Sequence, residues 1–131
     1  MPKKTDLCIY RFNIAVDTLD TARLCKENNK YKDAINRCYY AAFYAVRSVL
    51  ALEEVDFKRH KDVVSYFNHH YVATGIFPRE IGRMMGRLQK KREASDYDDF
   101  YLASNDEVGE QYKYAEAIIA EVKNTLALMN M

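Results

Sequence analysis

Ala34-Ile35-Asn36-Arg37-Cys38-Tyr39-Tyr40-Ala41-Ala42-Phe43-Tyr44-Ala45-Val46 is apolar or aromatic on most sides when wound at about 3.6 residues per turn. A helix at the surface of a globular fold shows one apolar stripe, whereas one that is apolar nearly all round sits among several neighbours. The stretch from about Tyr31 to Glu54 is therefore expected to be a central helix. Flanking segments supply the neighbours. From about Lys4 to Asn29, Cys8, Phe12, Ala15, Leu19 and Ala22 alternate spacings of four and three, one face of an amphipathic helix, and Asn28-Asn29 provides a stop. Val64, Phe67 and Tyr71 mark a third helix over Lys58 to Tyr71, ended by Gly75. Pro78 opens a fourth, with Ile81, Met84, Met85 and Leu88 as its apolar stripe and Gly82 and Gly86, four apart, as a smooth strip for tight packing or the dimer seam; it fades near Glu93. Ser95 to Asn105 reads as loop or turn. Ser104 or Asn105 then caps a last helix to about Met129, with Val108, Tyr112, Ala115, Ile119, Val122 and Leu126 on one face. The expected fold is all-α, an antiparallel up-and-down bundle of four to five helices in one domain over residues 1–131.

Composition agrees. Only 4 Gly and 2 Pro occur in 131 residues, too few for the turns of a β-sandwich or barrel and unlike a disordered chain. A 49% hydrophobic share at this length suffices for a core without disulfide or metal staples. No stretch approaches a membrane span, and Met1-Pro2-Lys3-Lys4-Thr5-Asp6 is not followed by a signal-type apolar block, so a cytoplasmic protein is expected. Cys8, Cys25 and Cys38 lack zinc-type spacing and read as small buried hydrophobes of a reducing compartment.

The net charge of +1 conceals an uneven distribution. Between Arg79 and Arg92 stand six basic residues and one acid, Glu80, while Asp96, Asp98, Asp99, Asp106 and Glu107 follow without a base. Arg79, Arg83 and Arg87 recur every four residues and, with Lys90, Lys91 and Arg92, form a basic ridge able to grip phosphates. A solvated face beside an acidic neighbour is the plainer alternative. His60, between Lys58-Arg59 and Lys61, lies in an electropositive setting that favours its neutral form and suits acid–base work. His60, His69 and His70 lack the spacing of a helical metal pair, so no metal site and no cofactor are expected. Arg37, within the most apolar helix, is expected to be buried and to need a partner.

At Asn36 to Arg47 the chain resembles the HEPN superfamily, specifically small bacterial and archaeal members with an S-R-x-Y-Y-A-x-F-x-A-x-x helix. His60-Lys61-Asp62-Val63, the run Phe67 to Gly75 and Arg92-Glu93-Ala94-Ser95-Asp96-Tyr97-Asp98 resemble further elements of that family, in the same order. The resemblance spans roughly Tyr31 to Val122. It implies a helical bundle, usually dimeric, often paired with a minimal nucleotidyltransferase as a toxin–antitoxin system. Many members are metal-independent RNases with an Arg-x4-6-His signature. No Arg here stands five to seven positions before His60, His69 or His70, so that site does not carry over. Arg37, His60, Arg92, Asp96 and Tyr97 match the subgroup's own pattern instead.

The leading expectation is a homodimeric binding module that takes a nucleotidyltransferase partner and contacts RNA or nucleotide through Arg37, Arg79, Arg83, Arg87, Lys90 and Lys91. The alternative is a metal-independent endoribonuclease with His60 and Arg92 as its catalytic pair. A purely structural or regulatory dimer is the third reading. Arg37 is expected to pair with Asp96 or Asp98, closing a structural network of Arg37, Asp96, Tyr97 and Asp98 around the second helix.

Overall fold

A computed structural model describes residues 3–129. Met1, Pro2, Asn130 and Met131, the ends of the domain expected over 1–131, lie outside the described residues. Among the described residues the fold is all-helical and antiparallel: α1 (Lys4–Glu27), α2 (Tyr31–Ala51), α3 (His60–Phe67), α4 (Arg79–Tyr97) and α5 (Asn105–Met129), with no strand. Among the same residues, no helix is long and apolar enough to cross a membrane.

The element ends have local causes. Asn28 Nδ2 donates to the Leu24 carbonyl at 2.8 Å and Asn29 takes a left-handed φ of 61°, so α1 stops at the asparagine pair. α2 ends at Ala51, three residues short of the expected Glu54. There the N–H groups of Leu52, Glu53 and Glu54 bond three residues back, and Glu54 itself turns left-handed. α3 runs on into a π-helical turn over Asn68–Val72, where the Ala73 N–H reaches the Asn68 carbonyl at 2.8 Å. Gly75, at φ 85°, makes the turn toward α4, and Pro78 stands just before α4 in extended backbone rather than within its first turn. Ser104 Oγ accepts the Glu107 N–H at 3.1 Å and caps α5.

α2 is the axle: 13 of its 21 residues are buried, and it packs on α1, α3, α4 and α5. Its alanines 41, 42 and 45 are fully buried, as are Ala15 and Ala22 of α1, and small side chains on both helices permit the extensive α1–α2 contact. Tyr39, Phe67, Phe77, Met85, Leu88 and Ile118 fill the remaining volume.

Two expectations about α4 change. Residues 95–97, expected in a loop, extend the helix, because Ser95 shares the face of Leu88 one heptad earlier and is only 1% exposed; backbone packed on the core holds there despite the charged run before it. The strip expected of Gly82 and Gly86 divides. A Cβ at Gly82 would lie 3.3 Å from Asn68 Oδ1 and from Val72 Cγ1, so this glycine seats the π-turn against α4, whereas Gly86 faces open space.

Candidate functional site

Tyr39 and Tyr40 project from the middle of α2 with ring centroids 5.1 Å apart, edge to face. Arg92, near the end of α4, lies across both: its Cζ is 4.7 Å from the Tyr39 centroid and 5.8 Å from that of Tyr40. Arg92 Nη1 donates to the Tyr40 hydroxyl at 3.5 Å and stands 3.6 Å from Asp96 Oδ2. Its side chain is 15% exposed, and Nε is buried with no hydrogen-bond partner.

His60, the first residue of α3, meets the same tyrosines. Its Nδ1 lies 3.3 Å from Tyr39 Oη, and its ring is 4.2 Å from that of Phe43 and 5.5 Å, edge to face, from that of Tyr40. Burial lowers the His60 pKa, and the positive charges of Arg92 and then Arg47 lower it further, so the neutral imidazole prevails near pH 7. The flanking Lys58, Arg59 and Lys61 are not the cause. Burial pushes the Tyr39 phenol up to about 12 against the opposing pull of Arg92, so it remains an O–H group.

Behind this corner, Asp56 in the α2–α3 connection receives two guanidiniums. Arg47 Nη2 donates to Asp56 Oδ2 at 2.8 Å and Arg11 Nη2 to the same oxygen at 3.1 Å. Arg11 Nη1 also donates to the Arg47 carbonyl at 3.3 Å, tying α1 to α2. Burial by itself would raise the Asp56 carboxyl, but the Phe57 N–H and the two arginines hold it below the usual range. Arg47 Nε is buried and unpartnered.

The structure thus brings His60 and Arg92 together on one pair of tyrosines, although 32 positions separate them in the chain. It does not bring Arg37 to Asp96 or Asp98. Arg37 is exposed on α2, on the same helical face as the exposed Asp33 and the half-buried Tyr40 and Tyr44, and makes no ion pair among the described residues. Asp96 serves Arg92 instead, Asp98 Oδ1 accepts the Phe100 N–H at 3.0 Å, and Tyr97 is exposed. Arg79, Arg83, Arg87 and Lys90 are exposed, as a ridge requires. Part of that ridge is tethered: Arg83 pairs with Glu80 at 3.0 Å, Arg87 donates to the Tyr114 hydroxyl at 3.0 Å, and Lys91 reaches Glu107 at 3.5 Å. His69 and His70 lie away from the corner, His70 stacked on Tyr66 with centroids 4.0 Å apart. The three cysteines are free, and burial pushes the Cys38 thiol up to about 12.

Arg47 and Asp56 are absent from the sequence-based set. The signal for Arg47 existed: it follows Phe43 by one turn on the same apolar helix, so the argument made for Arg37 applies to it with more force. Nothing local distinguishes Asp56 from its acidic neighbours Glu53 and Glu54.

A HEPN domain family model matches residues 10–125. Among curated proteins, a UPF0332 protein of Thermotoga maritima is 29% identical over 126 residues, covering 96% of each chain. A candidate toxin of Methanocaldococcus jannaschii is 31% identical over 84 residues, 64% of this chain and 63% of that protein. The crystal structure of an archaeal HEPN homologue superposes with a TM-score of 0.70 at 21% identity, over 95% of this chain and 98% of the other, a likeness of fold.

Proposed function

Because the chain belongs to the HEPN domain family, we propose that it is the helical-bundle member of a toxin–antitoxin-type pair, a homodimer that binds a nucleotidyltransferase partner and engages the phosphates of RNA or nucleotide. The observation that carries the reading is the convergence of His60 and Arg92 on Tyr39 and Tyr40, with Arg47 near enough to depress the same imidazole. A guanidinium held over an aromatic ring, with Nε unpartnered, is ordered before a phosphate arrives and loses little entropy in gripping it. The ridge of Arg79, Arg83, Arg87 and Lys90 extends the positive surface along α4. A partner-docking role draws support from the loop after α4, where Phe100 is 92% and Leu102 88% exposed beside Asp98 and Asp99. Apolar side chains so exposed are characteristic of surfaces that a second protein covers. The names of the toxin-like relatives fit the pairing.

The test is co-purification with the product of an adjacent nucleotidyltransferase gene, together with RNA binding. Arg92→Gln is expected to weaken RNA binding, and Leu102→Asp the complex with the partner. A solitary gene whose product binds neither protein nor RNA contradicts the proposal.

The His60–Arg92 geometry also favours a second reading, a metal-independent endoribonuclease. A neutral imidazole steadied by the Tyr39 phenol is suited to take the proton of a ribose 2′-hydroxyl, and Arg92 to stabilise charge on the attacked phosphodiester. Cleavage in EDTA that disappears in His60→Ala supports this reading; equal cleavage by that variant eliminates it.

A further inference from the structure

Between α4 and α5 the surface opens into a cleft of about 470 Å³, within the size range of small-ligand sites. Arg87, Lys90, Lys91 and Ala94 line it from one face of α4, at spacings of three and four, and Glu110 and Gln111 from the first half of α5. We propose that this cleft binds an acidic amino acid, free or as a residue of a polypeptide, with Arg87 and Lys90 taking its carboxylate and Gln111 accepting its N–H. The site shares no residue with the corner of His60, Arg92, Tyr39 and Tyr40, and it stands whether or not RNA binds there.

Three observations carry it. The first is an unsatisfied amide. Gln111 is only 2% exposed, yet its Oε1 is buried without a hydrogen-bond partner. Such a group costs stability until something donates to it, and a carbonyl oxygen can be completed only by an N–H or O–H. Packing alone does not call for a glutamine here, because leucine fills a similar volume without that cost. The second is charge. Glu107 stands 3.5 Å from Lys91, and Lys90 is exposed and ion-paired to nothing among the described residues. Arg87 is already placed: its Cζ lies 5.7 Å from the Tyr114 centroid and its Nη1 donates to the Tyr114 hydroxyl at 3.0 Å. That hydroxyl donates in turn to Glu110 Oε1 at 3.0 Å. With Glu110 set against Arg87 and Glu107 against Lys91, one positive charge is in excess, which suits a single carboxylate better than a phosphate dianion. The third is the pairing of functions. A phosphate in the cleft would set its oxygens against the Glu110 carboxylate and leave Gln111 Oε1 poorly served. An acidic amino acid carries an anion and an N–H donor a few bonds apart, and those are the two groups for which the cleft has unused partners.

Full-length ¹⁵N-labelled protein is titrated at fixed salt, with amide and side-chain resonances followed by NMR. The probes are N-acetyl-glutamate α-amide, L-glutamate, N-acetyl-glutamine α-amide, which lacks the carboxylate, glutarate, which lacks the N–H, and inorganic phosphate. The capped glutamate and L-glutamate are expected to shift the signals of Arg87, Lys90 and Gln111, and to bind about tenfold or more tightly than the other three probes. Tighter binding of the capped residue identifies a polypeptide as the source; tighter binding of L-glutamate identifies the free amino acid. Lys90→Gln is expected to weaken the better ligand by about tenfold at an unchanged melting temperature. Gln111→Leu is expected to weaken it as much while raising the melting temperature, a combination that a merely structural glutamine would not give. Glutarate or phosphate binding as tightly as the glutamate probes would reduce the cleft to a general anion patch and overturn the proposal. So would capped glutamine binding as tightly as capped glutamate, an absence of shifts at Arg87, Lys90 and Gln111, or unweakened binding by either variant. A lower melting temperature for Gln111→Leu would show that Oε1 is satisfied without a ligand, and would overturn it too.

Discussion

Arg87 and Arg92 stand five residues apart on the same helix, and they do different things. Arg87 is exposed, sharing a hydrogen bond with Tyr114, whereas Arg92 is folded inward over Tyr39 and Tyr40. The cause is angular. At about 100° per residue, five positions carry Arg92 some 140° away from the line of Arg79, Arg83 and Arg87 and onto the side of Met85 and Leu88. Arg37 and Arg47 repeat the contrast on α2: the first is exposed and without an ion pair among the described residues, the second clamped to Asp56. A run of basic residues therefore contains two populations. One belongs to the solvent, and the other is built into the aromatic centre of the bundle.

If that division is real, substitutions on its two sides differ in cost. The largest effect is expected at the shared ring. Tyr39→Ala removes a fully buried side chain that packs on Phe43 and carries both Arg92 and His60, and should cost about 3–5 kcal/mol in urea unfolding. A loss below about 1 kcal/mol would mean that the ring is not a keystone. Next, Arg92→Ala should cost about 1–3 kcal/mol through its stacking and its buried contacts, against about 0.5 kcal/mol or less for Arg87→Ala. Equal costs for the two would erase the comparison.

A smaller effect is expected from pH. The His60 pKa is depressed in the fold, so the unfolded chain binds the proton first. Stability should be intact above about pH 6.5 and decline as pH falls below it toward the folded-state value. His60→Gln should flatten that decline, as followed by thermal melts across the range. A variant that loses stability on the same curve would place the titration elsewhere. The smallest effect belongs to Arg37→Ala, expected within about 0.5 kcal/mol of the unsubstituted protein because it removes an exposed side chain.

Much of the bundle was legible because periodicity reports which face is buried. Cys8, Ala15 and Ala22 of α1, Val64, Phe67 and Tyr71 around α3, and Val108, Ala115 and Val122 of α5 are all buried as their spacing requires. What failed was the reading of exceptions. Arg37 sits on a helix whose average position is buried, but the average does not say where the gaps between neighbouring helices fall. Residues 95–97 look like loop by composition and are held helical by a packed serine. Of the site, His60 and Arg92 were legible as residue types, but their meeting on Tyr39 and Tyr40 depends on how α3 and α4 lie across α2. No spacing along the chain encodes that. Arg47 could have been found by its phase relative to Phe43, and Asp56 only in three dimensions.

We propose that the inward population, not the ridge, forms the phosphate-engaging centre. It is tested most directly by RNA affinity in EDTA, from fluorescence anisotropy, for Arg92→Gln and Arg87→Gln, two variants that each remove one positive charge from α4. Arg92→Gln is expected to lose at least about tenfold more affinity than Arg87→Gln while both remain folded at the assay temperature. Equal losses in the two variants would show that only the total charge of the helix matters, and would contradict it.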